Sequence, residues 1–130
     1  AELLPGRARA KLQLGDADGA LADFTAATEL DPDSFAAWWG RAELLIEDTR
    51  QRKAALAALD QALRLQPEHA PALARRGDLR RRLRDFDGAQ ADLEAAMRLQ
   101  PDSAEHIYAL GEIWWDRRDY AQAYAAYARA

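Results

Sequence analysis

Leucine, alanine and aromatic residues recur along the chain at spacings of three and four, the spacing that keeps side chains on one face of a helix. The pattern predicts helices near 4–14, 17–30, 34–47, 52–65, 70–83, 86–99, 103–116 and 119–129. The breaks between them are of two kinds. Three carry proline in a nearly constant phrase, Leu30-Asp31-Pro32-Asp33, Leu65-Gln66-Pro67-Glu68 and Leu99-Gln100-Pro101-Asp102. Proline has no N–H to give and turns the residue before it away from helix, so each phrase ends a helix. The acid that follows is suited to cap the next one, and Asp102 with Glu105 has capping-box spacing. The other breaks lie midway: Leu14-Gly15-Asp16, Arg84-Asp85-Phe86-Asp87-Gly88 and Arg118-Asp119-Tyr120, with a glycine stop or an aspartate start. The break at Glu47–Arg52 is irregular and one residue longer.

The prolines are 35 and 34 residues apart, and three columns of small residues keep the same period. They are Ala8, Ala42, Gly77 and Gly111; Ala20, Ala55, Ala89 and Ala123; and Ala27, Ala62, Ala96 and Ala130. Alanine is common throughout, so one column alone would mean little, but three in register with the Leu-x-Pro phrases define a repeat. Small residues let two helices approach closely. Larger ones fill the space beside them: Leu4, Trp38, Leu73 and Ile107 on the first helices, Phe24, Leu59, Leu93 and Tyr127 on the second.

These columns resemble the tetratricopeptide repeat, whose period is about 34 residues. The resemblance covers essentially the whole chain, in units of about 1–34, 35–69, 70–103 and 104–130. It departs from the pattern at Pro5-Gly6 in the first helix, at the extra residue in the second unit, and at Ala130, where the fourth unit stops. It implies an all-α fold, a right-handed α-solenoid of four antiparallel helix hairpins forming a single array. The last repeat would lack a capping helix, which repeat stacks use to cover their open end. The stripe Tyr120, Tyr124 and Tyr127 is expected to pack on the preceding helix, and the uncapped hairpin leaves two alternatives: that the chain is a piece of a longer protein, or that this face meets another copy in self-association.

The resemblance also implies that first helices line a concave wall. Projected onto this chain, the wall is Arg9 and Gln13; Trp39, Glu43 and Ile46; Arg75, Asp78 and Arg82; and Tyr108, Glu112 and Trp115. Aromatic anchors among charges of both signs suit a peptide or helical segment of a partner protein. Of the adjacent pairs Trp38-Trp39 and Trp114-Trp115, one member should face the wall, since neighbouring helix positions point about 100° apart; Trp38 is expected in the core. Some relatives clamp the C-terminal carboxylate of heat-shock chaperones with a Lys/Asn/Asn/Lys/Arg set. Here those positions hold Pro5, Arg9, Gly40, Pro71 and Arg75, and the chain has no asparagine, so that ligand is rejected.

Composition narrows the function rather than the fold. The net charge of −4 argues against nonspecific nucleic-acid binding. Six arginines crowd Arg75–Arg84, but spread around more than one helix face, where pairing with acids such as Asp78 and Asp85 is the leading account; the alternative is that Arg75 and Arg82, on the inner wall, hold a partner's carboxylate. No apolar run approaches the roughly 18 residues of a membrane span. There is no cysteine. Ser34 and Ser103 stand beside helix starts, where capping explains them; His69 and His106 lack metal spacing, and no glycine-rich phosphate loop is present. No catalytic set, metal or cofactor is expected. Two other roles fit such a repeat: a scaffold segment of a larger bacterial assembly, for example envelope or polysaccharide-export machinery, or the repeat arm of an enzyme whose catalytic domain lies elsewhere. The compartment, cytoplasmic or periplasmic, is left open.

Overall fold

The structure, a computed structural model, describes residues 3–130, with all their side chains except those of Leu3, Leu4, Pro5, Lys11 and Leu12. The packing role expected of Leu4 and the clamp position Pro5 lie outside the described side chains. The described residues form helices α1 (Leu3–Gln13), α2 (Ala17–Leu30), α3 (Phe35–Ile46), α4 (Arg52–Leu65), α5 (Ala70–Arg82), α6 (Phe86–Leu99), α7 (Ala104–Asp116) and α8 (Tyr120–Arg129), with no strand. A 3₁₀ turn at Thr49–Gln51 takes up the extra residue before α4.

At the three starts that follow the proline phrases the cap is the residue after the acid, the expected serine at two of them and His69 at the third. Ser34, His69 and Ser103 accept from the backbone N–H of Ala37, Ala72 and His106, at 3.3, 3.1 and 3.4 Å. The acids Asp33, Glu68 and Asp102 stand one residue too early, because the turn after each proline needs that residue before helical dihedrals begin. The midpoint aspartates cap as expected: Asp16, Asp85 and Asp119 accept from Gly19, Gly88 and Gln122. Before them the backbone turns left-handed. Gly15 has φ 84°, whereas the corresponding positions hold Arg84 and Arg118 at 66° and 64°. A left-handed conformation costs an L-residue about 1–2 kcal/mol.

The chain divides into two compact units, the first ending at Pro67 and the second spanning Glu68–Ala130. Each contains two antiparallel hairpins: α1–α2 and α3–α4, then α5–α6 and α7–α8. Within the units, α2 packs on α3 and α6 on α7. Every small-residue column is buried except at Ala130. Phe24, Leu59 and Leu93 are fully buried, each burial contributing about 1.5–3 kcal/mol. Leu73 and Ile107 are buried, but Trp38 is only half-buried. Its indole N–H donates to the Pro32 carbonyl at 2.7 Å, which holds the ring at the rim of the core.

The first hairpin of each unit contains a buried aspartate. Asp23 takes two bonds from Arg7 at 2.8 and 2.7 Å. Asp92 takes two from Arg76 at 2.9 and 2.8 Å and a third from Arg80 at 2.9 Å. A buried carboxylate persists only with such partners, since leaving it unpaired costs several kcal/mol. The second hairpins carry Ala58 and Ala126 at the aspartate's register and bury them as apolar contacts.

The units also differ where their hairpins meet. Gly40 of α3 lies directly against the Phe24 ring, so a Cβ there would collide with a fully buried side chain. In the second unit the corresponding positions hold Ala109 and Leu93; Leu93 belongs to a buried core cluster and Ala109 packs against that cluster. The large–small pairing is preserved while both sizes change.

Candidate functional site

In the first unit, Arg9 and Gln13 stand exposed on α1. Trp39, Glu43 and Ile46 are half-buried on α3. Trp39 is stacked on Phe35, one turn earlier, with ring centroids 6.2 Å apart and planes at 13°. It is thus braced by its own helix. Arg41 of the same helix turns inward, its guanidinium 5.6 Å from the Trp38 ring centroid and one nitrogen 3.2 Å from the Thr28 hydroxyl.

In the second unit the expected residues converge through one that the sequence pattern did not select. Arg81 binds Asp78 at 3.1 Å on its own helix, and Glu112 at 3.1 Å and Asp116 at 2.9 Å on α7. Burial works against its charge, but the bonds it donates to Asp116 and Asp78 and the charge of Glu112 outweigh it, so its pKa stands above the ordinary arginine value. Arg82 pairs with Asp78 at 3.1 Å, and Arg75 is exposed. Arg81 was legible in the sequence: it lies 34 residues before Trp115 and 35 after Ile46, both assigned to the wall. The remainder of the arginine run is structural. Arg76 and Arg80 serve Asp92, and Arg80 also approaches Asp85 at 3.8 Å.

Four aromatic rings stand half-exposed on α7 and α8. Tyr108 is 52% exposed and Trp115 45%, with Tyr120 at 46% and Tyr124 at 63%. Trp115 meets Tyr120 and Tyr124 edge-on, at centroid distances of 4.9 and 6.0 Å. Tyr108 leans on Tyr127 at 5.1 Å. Tyr127 itself lies against Gly111, where a Cβ would come 2.7 Å from its ring. Burial, followed by the nearby Glu112 charge, pushes the Tyr127 hydroxyl pKa up. Of the tyrosine stripe, therefore, Tyr127 is packed inward and Tyr120 and Tyr124 outward.

An open groove of about 410 Å³ between α6 and α7 is lined by Glu94, Met97, Arg98 and Leu110. Leu110 stands at the register of Arg41. His69 is a cap, and His106 is buried with its Nε2 2.8 Å from the Gln100 side-chain oxygen. Among the described residues no three His, Cys, Asp or Glu side chains are grouped to hold a metal ion, and no helix is long and apolar enough to cross a membrane.

A family model described as tetratricopeptide repeat matches residues 6–70 and 74–130. Among solved structures, MamA from Desulfovibrio magneticus RS-1 is 23% identical with a TM-score of 0.89, over 98% of this chain and 72% of that one. TTC0263, a thermophilic TPR protein of Thermus thermophilus, is 28% identical with a TM-score of 0.77, over 98% and 70%. The first TPR of Spaghetti (RPAP3), bound to the HSP90 peptide SRMEEVD, is 22% identical with a TM-score of 0.81, over 89% and 91%. No curated protein matches the chain significantly by sequence.

Proposed function

The chain belongs to the tetratricopeptide repeat family, and from that premise we propose that it is a protein-interaction module holding a peptide or helical segment of a partner in the concave groove formed by its first helices. The observation that carries this reading is the pair Tyr108 and Trp115, large rings left half-exposed on a first helix among charged groups. Burying each on binding contributes about 1.5–3 kcal/mol, and rings of this kind dominate many interfaces. The residues proposed to contact the partner are Arg9, Trp39, Glu43, Arg75, Asp78, Arg82, Tyr108, Glu112 and Trp115, to which Arg81 is added.

The ligand differs from a chaperone C-terminal carboxylate. Gly40, at one clamp position, is buried against Phe24 and presents nothing to a partner. The decisive experiment is capture of partners by the parent chain and by a Trp39→Ala/Arg75→Ala/Trp115→Ala variant whose helicity is unchanged. Partners lost from the variant support the groove; an identical set captured by both rejects it.

A further inference from the structure

The exposed face of α7 has a chemistry of its own. Glu105, Tyr108, Glu112, Trp115 and Asp116 fall within about a third of the helix circumference, since each residue advances about 100°. Acid and aromatic alternate along this stripe, and it contains no basic residue. Glu105 is exposed, and the side chains of Glu112 and Asp116 remain 33% and 31% accessible. Opposite, α5 contributes Arg75, Asp78, Arg81 and Arg82. Arg81 is already shared among Asp78, Glu112 and Asp116, and Arg82 is held by Asp78.

An incoming anion therefore finds two of the three guanidinium groups engaged. For an incoming cation, Asp78, Glu112 and Asp116 share two guanidinium groups, Arg81 and Arg82, which leaves acceptor oxygens in excess, and exposed Glu105 adds a further acid. The half-exposed rings beside these acids present π-faces that attract cations. From this we infer that the second unit takes a basic segment, a peptide whose lysine or arginine heads meet Glu105, Glu112 or Asp116 while their stems or guanidinium planes lie on Tyr108 or Trp115. This rests on the groove reading and specifies the partner's charge. That charge is opposite to the two glutamates and aspartate in the peptide SRMEEVD of the RPAP3 structure.

The test uses three capped twelve-residue peptides, identical except that the charged positions are all Lys/Arg, all Glu/Asp or all Ser, titrated against the whole chain by calorimetry. The basic peptide should bind at least about tenfold more tightly than the other two at low salt, and the preference should shrink as salt screens the charges. A Glu105→Gln/Glu112→Gln variant should lose most of that preference. Glu105→Gln alone leaves every acid that holds Arg81 in place, and it decides the matter should the double variant not fold. Equal binding of all three peptides, preference for the acidic one, binding of none, or a preference unchanged in both variants overturns the inference. So does a concentration-dependent dimer that Trp115→Ala dissolves, because a second copy would then occupy the face. The groove reading is decided separately: partners lost from the triple alanine variant but bearing acidic segments would uphold it while removing the basic-segment inference.

Discussion

The two units share one plan and satisfy it by different means. Both place a buried aspartate in the first hairpin and leave the second without one. In the first unit Asp23 takes two bonds from an arginine whose side chain is 60% exposed. In the second, Asp92 is held by Arg76 and Arg80, with side chains only 20% and 24% exposed. The first unit joins its hairpins by setting a phenylalanine into a glycine gap. The second uses a smaller pair there and adds the Arg81 bridge from α5 to α7. A common backbone therefore does not imply a common energetic basis. One unit relies more on apolar fit, the other on charges withdrawn from water.

The largest expected effect tests that contrast directly. Asp92→Ala leaves Arg76 and Arg80 without their buried carboxylate and should cost about 3 kcal/mol in urea unfolding, while Asp23→Ala, whose arginine can hydrate, should cost about 1–2 kcal/mol. Equal losses would erase the distinction. Next comes the apolar joint. Gly40→Ala should destabilise by about 1–3 kcal/mol through overpacking. Adding Phe24→Leu, which recreates the Ala109–Leu93 pair of the second unit, should recover part of the loss. Additive losses in the double variant would show that the pairing is not the cause.

A smaller gain is expected at the left-handed arginines. Arg118→Gly and Arg84→Gly should each stabilise by about 0.5–1 kcal/mol, since glycine adopts that conformation without a steric penalty but loses more freedom on folding. A melting temperature raised by a few degrees is the measurement. The smallest effect belongs to the turn before α4. The Arg50 side chain, with help from its backbone N–H and from Gln51, lowers the Asp48 pKa to about 2. A folded pKa below the unfolded one stabilises above the unfolded value, near 4, and that contribution is lost as pH falls toward about 2. Carboxyl NMR should give an Asp48 midpoint near that lower value, rising toward 4 in Arg50→Ala.

Most of the fold was legible because proline and small-residue positions repeat every 34 or 35 residues, and steric rules tie them to helix ends and close approaches. The buried ion pairs were not found, because their period is different. Asp23 and Asp92 are 69 residues apart with Ala58 and Ala126 at the same register in the other repeats, so the aspartates agree only between alternate repeats, although their partners Arg7 and Arg76 share a column with Arg41. Trp38 was misplaced for another reason. Its register is that of the buried Leu73 and Ile107, but an indole must satisfy its N–H, and the Pro32 carbonyl that accepts it lies at the rim. The serine caps were legible as residues beside helix starts, whereas His69 was not, because a histidine is a rarer cap than the acid next to it.

The glycine against Phe24 has a consequence for how the chain finds its structure. Four hairpins of nearly the same length and pattern offer a folding chain many wrong partners. A methyl group at the Ala109 position would collide with Phe24, so α7 is a poor substitute for α3 beside α2. Unequal side-chain sizes at equivalent joints thus label the hairpins by order, and a repetitive sequence gains the means to reject its own copies when they dock out of turn.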